Sequence, residues 1–309
     1  MKKEEIKQKR IAVLKGGLSR EREVSLKTGA AIAGALRSLG YEVVEIDVGV
    51  DLAARLLEAK AEVAFIALHG RFGEDGCVQG LLECMRLPYT GSGVLASAAG
   101  MDKVFSKRIF DAFGIPTPAW TFFDSHEAAQ AAPLPFGFPV VVKPSREGSS
   151  IGVGICKDEG EYRAALEQVA GFEGQVLVEP FVKGREIQVG FLDGDILGAI
   201  EVVAARAFYD YEAKYSAGSG TRYIFPAELS PKAQERIFEV CLKANQALGC
   251  EGATRSDVLL TEGAEVFLLE VNTLPGMTET SLLPKIAAGK GLDFGALCER
   301  LLLGARLKA

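Results

Sequence analysis

Apolar positions along the chain follow two rhythms. Short unbroken runs at residues 10–15 (RIAVLK), 41–48 and 62–68 predict buried strands, while helical spacing over 21–39 and 51–60 predicts helices between them. Strand and helix alternating in this way predict a doubly wound parallel sheet. Ligands of such sheets lie beyond the carboxyl ends of the strands, where Glu21 and His69 fall, each beside a glycine turn (Gly16-Gly17 and Gly70). Glu23 reads as a first-turn acid favoured by the helix dipole. Glu21 stands on the loop side, where both that role and a ligand role remain open.

Beyond Pro116 and Pro118 the pattern changes to short strands with hairpin turns, which sets a boundary near residue 101. Strands are expected at 139–144, 175–182, 185–192 and 196–203, and helices at 158–170, 231–248, 281–288 and 294–303. Residues 208–220 (FYDYEAKYSAGSG) have no period. Their aromatics argue for a lid rather than disorder.

A hairpin at residues 255–276 organises the second half. A two-residue turn at Gly263-Ala264, of the type that wants glycine first, places Glu262 opposite Glu265. Counting outward sets Asp257 opposite Glu270 and Arg255 opposite Asn272, all four on one face. Opposed carboxylates with Cβ atoms about 5 Å apart repel, so a cation is expected between them. Two carboxylates and an amide oxygen suit Mg²⁺ completed by water and phosphate oxygens better than a Ca²⁺ cage. An exposed acidic rim with Arg255 as counter-ion fits the same residues, and the hairpin alone does not choose.

Composition narrows the class. The chain has 309 residues, 48% of them hydrophobic, with net charge -6 from interspersed acids and bases, which argues against coating nucleic acid. No apolar run approaches the roughly 18 residues of a membrane span, and residues 1–10 (MKKEEIKQKR) are charged, a frayed or helical extension with no signal-peptide core. Six cysteines without a C-x-x-C pair read as reduced, buried thiols of a cytoplasmic protein, and two histidines nearly exclude a His-rich zinc site.

Two glycine motifs carry candidate chemistry. Residues 91–96 (GSGVLA) match G-x-G-x-x-A with Asp111 downstream, but Asp111 lies in a helical pattern, so the motif reads as a turn closing the first domain. Residues 145–154 (SREGSSIGVG) follow Lys143 on its strand. Small residues there let backbone N–H groups close on phosphate oxygens beside a lysine; a mobile glycine hairpin is the alternative. The strand that breaks at Glu179 and Pro180 offers backbone groups and an aromatic side chain to a flat heterocycle.

Taken together, EREVS at 21–25, HG at 69–70 with GEDG at 73–76, GSG at 91–93, MDK at 101–103, and residues 143–150, 208–215, 255–257 and 270–278 resemble the D-alanine–D-alanine ligases of the ATP-grasp superfamily. The likeness runs from Arg10 to Leu303. It implies a three-domain ATP-grasp fold: an N-terminal parallel α/β sheet (1–100), then two antiparallel α+β subdomains (101–184 and 185–309). It also implies ATP-driven ligation of two D-alanines through an acyl phosphate, for peptidoglycan synthesis, by a cytoplasmic homodimer. In that likeness Lys103 and Lys143 hold the nucleotide phosphates, Glu179, Pro180, Phe181 and Val182 the adenine, Glu186 the ribose, and Phe208 lies against the nucleotide. Asp257, Glu270 and Asn272 ligate Mg²⁺, with Mn²⁺ as a substitute. Arg255 and the Gly276 N–H form an oxyanion hole, and Lys214 offsets developing charge. Glu21, beside His69, grips the first D-alanine's ammonium, Ser149 and Tyr215 link Glu21 to the lid, and Ser281 with Leu282 takes the second carboxylate. Pro180-Phe181 and Ser256 depart from the commonest family residues, which puts adenine affinity in question. Competing expectations are a D-alanyl-D-lactate or other carboxylate–amine ligase, a non-catalytic ATP sensor, and a nucleotide-dependent dehydrogenase resting only on residues 91–96.

Overall fold

The structure, a computed structural model, describes residues 2–203, 221–278 and 281–308. A parallel sheet of order β2-β1-β3 opens the chain: β1 (Arg10–Lys15), β2 (Glu42–Asp47) and β3 (Val63–Ile66). Alternation along β1 serves two cores, as expected for a sheet covered on both faces. Ile11 and Val13 pack with Ile32 and Leu36 of the helix Arg22–Ser38, whereas Ala12 and Leu14 pack with Leu52, Leu56 and Leu82 on the other side. The charged amino terminus is anchored rather than frayed. A short helix, Lys3–Ile6, buries Ile6 completely, and Lys3 and the Tyr41 hydroxyl both reach Glu299 at 2.8 Å.

A four-stranded antiparallel sheet follows, with order β4-β7-β5-β6: β4 (Thr121–Phe123), β5 (Val140–Pro144), β6 (Gly154–Cys156) and β7 (Val176–Pro180). The helix Glu159–Val169 covers it with Tyr162, Leu166 and Val169. The last sheet is also antiparallel, with order β10-β9-β8-β11-β12: β8 (Arg185–Leu192), β9 (Asp195–Val203), β10 (Arg222–Ile224), β11 (Ala253–Leu260) and β12 (Val266–Asn272). The helix Pro231–Leu248, capped by Ser230, lays Ile237, Val240 and Ala244 on it. The closing helix, Phe294–Leu303, returns to the first sheet's core through Leu297, Leu301 and Leu302. The fold is thus a parallel α/β sheet followed by two antiparallel α+β units.

The hairpin differs from expectation at its tip. Thr261 N–H bonds Glu265 O and Ala264 N–H bonds Thr261 O, both at 3.0 Å, and Ala264 rather than Gly263 takes the positive φ, 60°. Three residues therefore turn the chain, and pairing starts one residue out of phase, with Leu260 opposite Val266. A bulge at Leu269 restores the phase, so Asp257 still faces Glu270 and Arg255 faces Asn272. Such an insertion puts consecutive residues on one face: Leu269 and Glu270 both line the cleft described next.

Candidate active site

Two cavities meet at one point. The smaller, of about 100 Å³, sits at the carboxyl ends of β1 and β3 and is lined by Glu21, His69, Ser149, Arg255, Asn272, Gly276, Ser281 and Leu282. Glu21 stands at the residue before the helix Arg22–Ser38, without a side-chain capping bond, and is only 7% exposed. The Ser149 hydroxyl donates to its carboxylate across 128 residues of sequence. Chain crowds that carboxylate: a Cβ at Gly70 would come 2.7 Å from Oε2, and one at Gly148 3.0 Å. Gly70 also has φ of 66°, so glycine is required there twice over. The His69 ring is fixed on both sides, with Nε2 3.1 Å from Thr28 Oγ1 and Nδ1 3.3 Å from Glu74 Oε1. Ser281 stands at the residue before the helix Leu282–Gly289, and its hydroxyl, instead of capping the helix, accepts the Thr278 N–H at 3.0 Å. A Cβ at Gly276 would lie 2.9 Å from the Ser281 oxygen.

The larger cavity, of about 420 Å³, runs between the two antiparallel sheets. Val141 and Ile155 form one wall, Val202, Leu259 and Leu269 the other. Pro180, Phe181, Val182 and Glu186 also line it, as do Lys143, Asp257 and Glu270. The cavities share Lys103, Glu147 and Glu270. Lys103 bridges this junction, donating to Glu147 O at 2.7 Å and lying 3.4 Å from Glu270 Oε2.

Of the hairpin's two carboxylates, Asp257 is buried and Glu270, its side chain 32% exposed, lies against Lys103, so both line the cavities. Asp257 is 4% exposed and takes both arms of the Arg255 guanidinium, at 2.8 and 3.0 Å. Asn272 Oδ1 accepts the Leu274 N–H at 3.1 Å and keeps a second lone pair. Two carboxylates and an amide oxygen, all hard donors, line cavities that Lys103 and Lys143 also line, and they fit a divalent cation of the Mg²⁺ kind.

Glu179 is placed differently from a side chain that reads a heterocycle. It is 2% exposed, and its two oxygens are bound to Lys107 and Lys143. Burial works against its charge, but Lys143 and Lys107 outweigh it and hold the carboxyl below the usual range. Only its backbone is left for a ligand. Burial likewise pushes the Lys107 ammonium below the ordinary lysine range, against the charge of Glu179. Lys107 is the site residue the sequence pattern missed. It lies four residues after Lys103 on the helix Lys103–Ala112, and that spacing was its only signal, since lysine reads as a surface residue.

Three expected site residues, Phe208, Lys214 and Tyr215, lie outside the described residues. The dinucleotide reading of residues 91–96 fails: Asp111 sits within a helix and accepts the Trp120 indole N–H at 3.0 Å. Gly91 instead meets Gly252 backbone to backbone, where a Cβ on Gly252 would come 3.0 Å from the Gly91 Cα. Of the six cysteines, Cys156, Cys241 and Cys298 are buried as expected, but Cys77 and Cys84 are exposed on the helix Cys77–Cys84.

A nucleotide-sized cleft between two antiparallel sheets, with lysines at the end where a smaller polar chamber opens, defines an ATP-grasp enzyme. The family described as "D-ala D-ala ligase C-terminus" matches residues 109–303, and "D-ala D-ala ligase N-terminus" matches residues 48–92. A D-alanine–D-alanine ligase of Anaeromyxobacter sp. (strain Fw109-5) is 55% identical over 97% of this chain and 98% of its own. One of Trichlorobacter lovleyi is 52% identical over 100% of this chain and 98% of its own. The crystal structure of the D-alanine–D-alanine ligase from Bacillus anthracis complexed with ATP superposes with a TM-score of 0.83 at 35% identity, covering 96% of this chain and 97% of that one. The chain belongs to the D-alanine–D-alanine ligase family.

Proposed function

We infer that the chain joins two D-alanines in an ATP-dependent, ADP-forming reaction whose product, D-alanyl-D-alanine, enters peptidoglycan synthesis. The observation that carries this is the junction of Lys103, Glu147 and Glu270, where a phosphate from the large cleft and a carboxylate from the small chamber can meet. A carboxylate is a poor electrophile. Transfer of the γ-phosphoryl group to the first D-alanine gives D-alanyl phosphate and ADP; the second D-alanine's amine then attacks the carbonyl carbon, the C–O bond to phosphate breaks, and phosphate and a proton leave.

The residues divide this work. Glu21, oriented by Ser149 and set beside His69, holds the first ammonium. The Ser281 hydroxyl and the Leu282 N–H, at a helix N-terminus, receive the second carboxylate. Arg255 and the Gly276 N–H face the oxygen that gains charge, an electrostatic role that needs no protein nucleophile. Lys103 and Lys143 hold the phosphates, with Glu186 at the ribose and the 179–182 backbone and Phe181 at the adenine. Asp257, Glu270 and Asn272 would hold Mg²⁺, or Mn²⁺ in its place, which when bound neutralises phosphate charge. Phe208, Lys214 and Tyr215 belong to the proposed lid, which would keep water from the acyl phosphate.

We place the work in the cytoplasm and in a homodimer, with units at 1–100, 101–184 and 185–309. Among the described residues no helix is long and apolar enough to cross a membrane, and the homodimer follows from family likeness, to be checked by light scattering. The activity is checked by phosphate release from Mg²⁺-ATP with D-alanine, L-alanine, or D-lactate plus D-alanine, and by the product's mass. D-alanyl-D-alanine from D-alanine alone is expected. A D-alanyl-D-lactate product would move the chain to the depsipeptide ligases, and ATP binding without turnover would make it a sensor.

A further inference from the structure

Lys107 lines neither cavity, yet its environment is built for it. The side chain is almost completely buried; its ammonium donates to Thr117 Oγ1 at 2.5 Å and Pro118 O at 3.3 Å and is ion-paired with one oxygen of Glu179. The other Glu179 oxygen holds Lys143. Thr117 in turn donates to Leu268 O at 2.9 Å, so the seat of Lys107 is braced on β12, the strand that carries Glu270.

A buried ion pair is a poor source of stability, since apolar residues of similar volume do as well. Charge explains the arrangement better. Glu179 paired with Lys143 alone would be neutral, and the lysine at the phosphate end of the cleft would have its charge cancelled within the protein. With two ammonium groups sharing one carboxylate, the group keeps an excess positive charge. Lys143 presents it: its side chain is 15% exposed, against 2% for both Lys107 and Glu179. An anionic ligand completes the balance.

We propose that Lys107 is a positioning residue for the nucleotide, which by holding one oxygen of Glu179 keeps the charge of Lys143 available to a polyphosphate. This rests on the assignment of Lys143 to the phosphates, so the test includes K143M. ATP affinity is measured by calorimetry on the full chain, with the KM for D-alanine and the urea midpoint determined alongside. K143M and K107M each weaken ATP binding by roughly tenfold or more, as expected for a lost hydrogen bond to a charged group, and leave the D-alanine KM within about twofold. K107M/E179Q recovers most of the lost affinity, because the anion that would cancel Lys143 is removed with its partner. If Lys107 merely supports the fold, the double variant binds ATP no better than K107M, and the proposal falls; it falls equally if K107M binds ATP like the wild type. Wild-type affinity in K143M would instead overturn the phosphate assignment beneath it. Should K107M not fold, the double variant decides alone: affinity within roughly threefold of wild type supports the proposal, and a tenfold loss overturns it.

Discussion

The two cavities solve opposite problems. The small chamber is lined with polar side chains that are already held: Glu21 by Ser149, His69 by Thr28 and Glu74, Arg255 by Asp257. The cleft between the sheets has apolar walls, Val141, Ile155, Val202, Leu259 and Leu269, with charged groups set among and around them. A substrate the size of alanine has little surface to bury, so recognition must come from fixed charges. A nucleotide offers a flat ring, and dry walls suffice for most of it.

Substitutions that separate the cavities test this contrast. The largest effect belongs to the shared group: Glu270→Gln should lower kcat by about a thousandfold or more, with phosphate release as the readout. A loss confined to ATP affinity would show that Glu270 serves the cleft alone. Glu21→Gln should raise the KM for D-alanine by about a hundredfold while ATP binding is kept, since a charge-assisted bond to the ammonium is worth roughly 2–3 kcal/mol. Ser149→Ala, which removes only the hydrogen bond that aims Glu21, should cost about tenfold in the same KM. For the apolar walls, Leu259→Ala should raise the KM for ATP only a few-fold, about 1 kcal/mol, and leave D-alanine untouched.

The smallest effect concerns the support beneath the first chamber. Arg22, the residue after Glu21, grips Asp47 with both arms at 2.7 and 2.6 Å, and this hydrogen bonding holds the Asp47 carboxyl below its usual range. A depressed carboxyl contributes stability above its unfolded pKa, and the contribution disappears as pH falls through the folded value. Both side chains are more than 40% exposed, so Asp47→Asn should lower stability at pH 7 by only about 0.5 kcal/mol. Urea midpoints of the variant and the wild type should converge as pH falls below the folded-state value of Asp47.

The parallel sheet could be read from pattern because each β1 residue alternates between two cores within one short run, and the helices Pro231–Leu248 and Phe294–Leu303 began and ended where periodicity placed them. The pairing of Asp257 with Glu270 and of Arg255 with Asn272 was readable for a less secure reason. The tip was read one residue short, and the Leu269 bulge, set by how the strand lies against the cleft and not by local preference, returned the phase. The contact of Ser149 with Glu21 joins distant parts of the chain, and no local pattern encodes it; family likeness supplied it. Lys107 stayed hidden because its burial depends on Glu179, 72 positions away, and the short segments Thr121–Phe123 and His126–Ala131 have too few residues to show a period.

The bulge at Leu269 has a practical side. The strand resets its phase between the tip and Asp257, and the tip residues Glu262, Gly263 and Ala264, all exposed, stand at the opposite end of the hairpin from Arg255 and Asn272. A fluorophore or a short grafted loop inserted there would sit about 20–25 Å along the strand from Asn272, a site for a label that leaves the cavity-lining residues Asp257, Glu270 and Asn272 unchanged.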